Sequence, residues 1–191
     1  MKRLSLSLFL LALSASGTAF AQPAAVPSEE VSTTTDAQEA FDKLKSLAGS
    51  WVGPLSIDHS DPSMEGMIGQ FSLRVTSRGN ALVHELSVAG IPDHPVTMFY
   101  LEGDRLLATH YCDAGNRPRF VGTLSPDGKT LTFEFLDLSG GDEHGHMVKG
   151  VFTFIDETHH TEEWTFMMPN GQFTGRFELQ RMNTGSGFSA N

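Results

Sequence analysis

Two histidines and a cysteine occupy positions where strand alternation would gather them. From Arg105 the chain alternates Leu106, Ala108, His110 and Cys112 on one face with Leu107, Thr109 and Tyr111 on the other. Taking the Leu106 face as inward puts His110 and Cys112 inside the fold. Leu82, His84, Leu86 and Val88 alternate in the same way, so His84 is inward too. An imidazole in an apolar lining needs a partner for each ring nitrogen, whereas a thiol needs none. Three chemistries fit these residues. They could form a structural network of His84, His110 and Tyr111, a set of polar contacts to a ligand in a cavity, or a metal site. Histidine and cysteine are good zinc ligands. Two of them on one strand and one elsewhere make no diagnostic spacing, so no metal is assigned.

Other residues extend the candidate set. Arg119 alternates with Val121 and would point inward, where a guanidinium could hold a carboxylate or phosphate by two parallel bonds. Its plainer role is an ion pair with Asp142 or Glu143 in a facing loop. His144, His146 and Met147 lead into a strand, and His159-His160 falls in a hairpin turn where both rings would be solvated. The ligand-binding candidates are therefore His84, His110, Tyr111, Cys112, Arg119 and His146. Nucleophilic catalysis finds no support. No serine sits in a Gly-x-Ser-x-Gly elbow, and Cys112 beside His110 on one strand is not by that fact an activated dyad. No catalytic residue is assigned, and an enzyme using His84, His110 and Arg119 is the lesser alternative.

The elements that must position these residues are mostly strands. Asp36 is placed as the cap of a helix of about 12 residues, with Glu39 completing a capping box. Phe41, Leu44, Leu47 and Ala48 share one face, and Gly49 ends the helix. From Trp51 the period is two. Strands are expected over 71–75, 82–88, 96–101, 105–112, 120–124, 131–136, 147–155, 162–168 and 173–181. Turns at Arg78-Gly79-Asn80, Glu102-Gly103-Asp104, Pro126-Asp127-Gly128 and Pro169-Asn170-Gly171 separate several of them. About eight to ten strands without crossover helices make an antiparallel meander. Such a meander removes its edges by closing on itself. The fold class is all-β, a single closed up-and-down barrel over residues 36–182 with the helix across one end. A two-sheet sandwich is the competing arrangement.

Gly49-Ser50-Trp51, directly after the helix, resembles the Gly-x-Trp opening of the lipocalin-like, or calycin, barrels. In that family an arginine of the last strand packs across the buried tryptophan, and Arg181 matches it by position. Gly49-x-Trp51-x-Gly53 also resembles the nitrobindin-like haem-binding barrels. The next glycine of that pattern is Leu55 here, and the last hairpins place no inward histidine to hold a haem iron. The cofactor is therefore left unknown. A closer likeness, over residues 41 to 181, is to a group of exported bacterial proteins of unknown function. These carry Thr109-His110-Tyr111-Cys112, then Gly115-Asn116-Arg117-Pro118-Arg119, and a His146-Met147 pair. The resemblance implies that Trp51 is buried at the closed end with the Arg181 guanidinium over its ring. Gly49 would allow the turn into the first strand, and Phe41 would cover that end from the helix.

Lys2 and Arg3, the apolar run from Leu4 to Leu13 and Ala19-Phe20-Ala21 before Gln22 have the layout of a secretory signal peptide over residues 1–21. The protein is thus expected to be periplasmic or secreted. Residues 22–35 read as a flexible leader and 183–191 as a flexible tail. Cys112 is the single cysteine, so no internal disulfide can form. The chain has 13 basic and 23 acidic residues; losing Lys2 and Arg3 leaves 11 basic and a net charge of −12. That surface disfavours nucleic acid and anionic lipid, and no second apolar run is long enough to span a bilayer. Nothing selects an oligomeric state. The leading expectation is an exported barrel holding a small apolar or amphiphilic molecule. A filled barrel serving a structural or interaction role is the alternative.

Overall fold

The computed structural model describes residues 35–58 and 62–183. The expected signal peptide, the leader up to residue 34 and the tail from residue 184 lie outside the described residues. Those described form one α-helix, α1 (Asp36–Lys45), and ten strands. The strands are β1 (Gly49–Ile57), β2 (Ile68–Thr76), β3 (Ala81–Val88), β4 (Val96–Glu102) and β5 (Arg105–Tyr111), then β6 (Arg117–Leu124), β7 (Thr130–Ser139), β8 (His146–Phe154), β9 (His159–Met168) and β10 (Gly171–Arg181). None of the described helices is long and apolar enough to cross a membrane.

Every sequential pair of strands is antiparallel, and β1 pairs with both β2 and β10, which closes the barrel. A sandwich is thereby excluded, since its two sheets would keep free edges. The inward face follows the apolar alternation. Trp51, Phe71, Leu82, Phe99, Leu106, Leu131, Phe133 and Phe152 are all fully buried.

The helix differs from expectation at its start. Thr35, not Asp36, is the cap, and its hydroxyl accepts from the backbone N–H of Gln38 at 3.2 Å. Asp36 and Glu39 lie instead in the first turn, where their charge suits the helix dipole. Ala37, Ala40, Phe41 and Leu44 are buried and plug one end of the barrel against β2, β4, β5 and β6.

The barrel closes at the same end. Trp51 and Arg181 are register partners on β1 and β10, and the Arg181 guanidinium carbon lies 4.1 Å from the centre of the Trp51 rings. The guanidinium donates to the carbonyls of Ala48 at 2.8 Å, Ser46 at 3.1 Å and Glu157 at 2.8 Å. Trp51 Nε1 donates to Leu47 O at 2.8 Å. Gly49 has φ +144, and an added Cβ would stand 2.5 Å from Arg181 Nη1. Only glycine fits there on both counts.

Candidate functional site

Antiparallel register sets the site at one level of the barrel. His84 on β3 and His110 on β5 both face Thr97 on β4 between them. With strands about 4.8 Å apart, the two histidines are roughly two strand spacings from one another. On the opposite wall, alternation along β9 sends His160, Glu162, Trp164 and Phe166 inward. Gly150 on β8 and Gly175 on β10 are the register partners of Trp164. A Cβ at Gly150 would come within 2.6 Å of the Trp164 ring, so that glycine makes room for the indole.

Glu162 is the centre of this arrangement and is 0 % exposed. Its Oε2 accepts from His84 Nε2 at 2.9 Å and from Trp164 Nε1 at 3.0 Å, and its Oε1 accepts from His160 Nε2 at 3.0 Å. Burial by itself pushes the Glu162 carboxyl up. The charge of His84 and the hydrogen bonds from His160 and His84 outweigh that burial and hold it well below the usual carboxylate range. A carboxylate accepts only, so each imidazole nitrogen facing it carries a proton. His84 is wrapped by aromatic rings, with centroids of Phe71, Trp164, Phe152 and Phe99 at 5.5, 5.7, 6.1 and 6.2 Å.

His110 Nδ1 is 2.8 Å from the Thr97 hydroxyl oxygen. Burial, and then the charge of His84, push this imidazole down to about 3, so it is neutral at ordinary pH.

A cavity of about 220 Å³ lies at the end of the barrel away from α1. Its walls are mostly apolar, including Leu55, Leu86, Phe166, Phe173 and Phe177. His84, His110, Thr97 and Trp164 face it too. His84 and His110 are only 3 % and 4 % exposed. Glu162 and His160 stand behind this wall and do not line it. Each of the two imidazoles has one nitrogen bonded to protein. The other, Nδ1 of His84 and Nε2 of His110, has no protein partner among the described residues and is open to the cavity.

Asp93, Cys112 and Asp113 also line the cavity, each with one potential ligand atom and all three atoms within 4.8 Å of one another. Burial pushes the Cys112 thiol up against an opposing backbone hydrogen bond at Ala114, and the nearby Asp93 and Asp113 carboxylates push it further. The group is therefore a thiol, and a cation bound there would have to displace its proton.

Three candidates read from sequence stand elsewhere. Tyr111 is on the outer face of β5 and 44 % exposed, as expected of a neighbour of inward His110. Arg119 keeps its alternation with Val121, but that face of β6 points outward and not into the barrel. Phe120, buried at 1 %, takes the inward face, and the register of β6 and β7 shifts between Arg119 and Phe120. Arg119 instead pairs bidentately with Asp137, its strand partner, at 2.8 and 2.5 Å, rather than with Asp142 or Glu143. His146 Nδ1 lies 2.6 Å from Asp142 Oδ1 and its ring packs against Phe135, outside the cavity. The following residue, Met147, lines it.

His160 is a second correction. It is not in a solvated turn but is an inward residue of β9, 0 % exposed, with its ring edge-on to Trp51 at 4.2 Å. The last hairpin therefore does place a histidine inward. Its Nε2 is occupied by Glu162. Glu162 and Trp164 were missed altogether. Their signal was present, since Glu162, Trp164 and Phe166 alternate with one another and His160 precedes them by two.

No protein-family model matches the chain, and no curated protein matches it. Among solved structures it is similar to the crystal structure of Rv2717c from M. tuberculosis. The two are 14 % identical, with a TM-score of 0.58, over 75 % of this chain and 98 % of that one. That likeness is one of fold. It agrees with a closed antiparallel barrel carrying an N-terminal helix, and it leaves function to the cavity.

Proposed function

We propose that this protein is an exported, lipocalin-like binding barrel that holds one small, mainly apolar molecule at the end away from α1. The observation that carries the reading is the cavity of about 220 Å³ whose apolar wall is interrupted by two imidazole nitrogens without protein partners among the described residues. Ligand sites have this composition, with apolar walls that supply affinity and a few placed polar groups that fix orientation. A purely structural interior would be filled, as it is at the helix end, where Trp51, Leu82, Leu106, Leu131 and Phe152 leave no exposed surface. Export rests on the signal-peptide pattern of residues 1–21.

The reading is tested with a small apolar fluorophore such as 1-aminoanthracene. Trp164 in the cavity wall serves as energy donor. One equivalent should bind with enhanced emission. Leu86→Trp, which fills the cavity from β3, should weaken binding at least tenfold without loss of the folded circular dichroism spectrum. Equal binding by folded wild type and L86W would put the fluorophore somewhere other than the cavity.

A further inference from the structure

We propose that the cavity selects an uncharged oxygen-bearing molecule of the carbonyl type, whose oxygen accepts from Nδ1–H of His84 while its apolar body lies against Trp164, Phe166 and Phe177. This rests on the cavity being a ligand site and adds the chemistry of what enters it.

Glu162 sets what the cavity wall must offer. A fully buried carboxylate needs a counter-charge as well as hydrogen bonds. Three histidines are near enough to be considered. His160 Nδ1 is enclosed and has no partner among the described residues, so a second proton on that ring would be a buried N–H without an acceptor. His110 does not touch Glu162; its Nδ1 is engaged with Thr97, and its surroundings keep it neutral. His84 is left. It bonds Glu162 directly through Nε2, and its other nitrogen faces open space where a second N–H can be satisfied. The counter-charge therefore sits on His84, and the cavity meets a charged donor at its floor.

That donor excludes two ligand classes. A pure hydrocarbon would displace water from Nδ1–H and offer nothing in return, which is costly for a buried donor. A carboxylate would bond well locally but would enter as an unbalanced charge. His84 is already neutralised by Glu162, and Asp93 and Asp113 line the same cavity. An ammonium group has no place beside His84. A neutral oxygen acceptor satisfies the donor and adds no charge. A carbonyl oxygen has two lone pairs. With the Thr97 hydroxyl donating to Nδ1 of His110, Nε2 of that ring presents a second N–H to the same space.

A near-isosteric set tests the proposal on the wild-type mature protein: acetophenone, ethylbenzene, benzoate and benzylamine, titrated by calorimetry at neutral pH. Acetophenone should bind at least tenfold more tightly than each of the others. The side-chain ¹⁵N resonance of His84 Nδ1 should move with acetophenone and stay put with ethylbenzene. If ethylbenzene binds as tightly, the apolar cavity stands and the acceptor claim falls. If benzoate or benzylamine binds as tightly, the claim of an uncharged ligand falls. If none of the four binds, the ligand-site reading itself fails and this inference with it.

Discussion

Replacing Glu162 with alanine should lower the stability of the barrel by about 3–5 kcal/mol, the range for breaking a buried charged pair by removing one partner. The loss is large because, among the described residues, Glu162 is the acceptor for three donors, the buried His84 Nε2 and His160 Nε2 and the half-buried Trp164 Nε1. Alanine strands all three and leaves the charge of His84 unbalanced. Glu162→Gln keeps an amide oxygen for one side of the fork but turns an N–H₂ toward the other, so it should fall between wild type and E162A. Urea denaturation at neutral pH measures both. A loss below about 1 kcal/mol for E162A would mean that water replaces the carboxylate, and that the cluster is not a sealed one. The same carboxyl gives the pH dependence. Its folded-state value is held down to about 2 from an ordinary 4.5. Its stabilisation is therefore complete above about pH 4.5 and fades as the pH falls toward 2. E162A should lack that portion of the acid sensitivity.

The second large effect belongs to the closed end. Trp51→Ala should cost roughly 3–5 kcal/mol, as removing a fully buried large aromatic does. It also strips the ring from beneath the Arg181 guanidinium and from the edge of His160. Arg181→Lys separates the two contributions. An ammonium can replace neither the flat stack nor the fork that reaches the carbonyls of Ser46, Ala48 and Glu157. It should cost less than W51A but shift the thermal midpoint downward by several degrees. A wild-type midpoint in R181K would show that closure depends on the strand pairing of β1 with β10 and not on the arginine.

Much of this end was legible in the sequence because its causes are local. Trp51 directly follows Gly49, Arg181 ends a strand whose alternation passes through Phe177 and Leu179, and antiparallel closure brings first and last strands together. His84 and His110 were legible for the same reason, each flanked by apolar residues at a spacing of two. Arg119 was misplaced because the apolar Val121 marks their shared face of β6 as inward in the sequence, whereas the buried residues of that strand, Pro118 and Phe120, lie on the other face. Glu162 and His160 were missed for a different reason. His159-His160 read as a solvated turn, and Glu162 only as the first residue of the strand after it. Only the tertiary fold shows that a glutamate there is bonded to a histidine 78 residues earlier. Buried polar networks are non-local, and no spacing rule along one strand reveals the partner on another.

The central claim, that the far end of the barrel is a ligand cavity, is tested most directly by methionine methyl resonances. Met64 and Met147 line the cavity, whereas Met98 and Met168 are not part of its wall. In methyl-labelled protein titrated with acetophenone, the Met64 and Met147 signals should shift along a single saturable curve while those of Met98 and Met168 stay in place. Shifts at all four alike, or movement at Met98 and Met168 with Met64 and Met147 unchanged, would contradict the account.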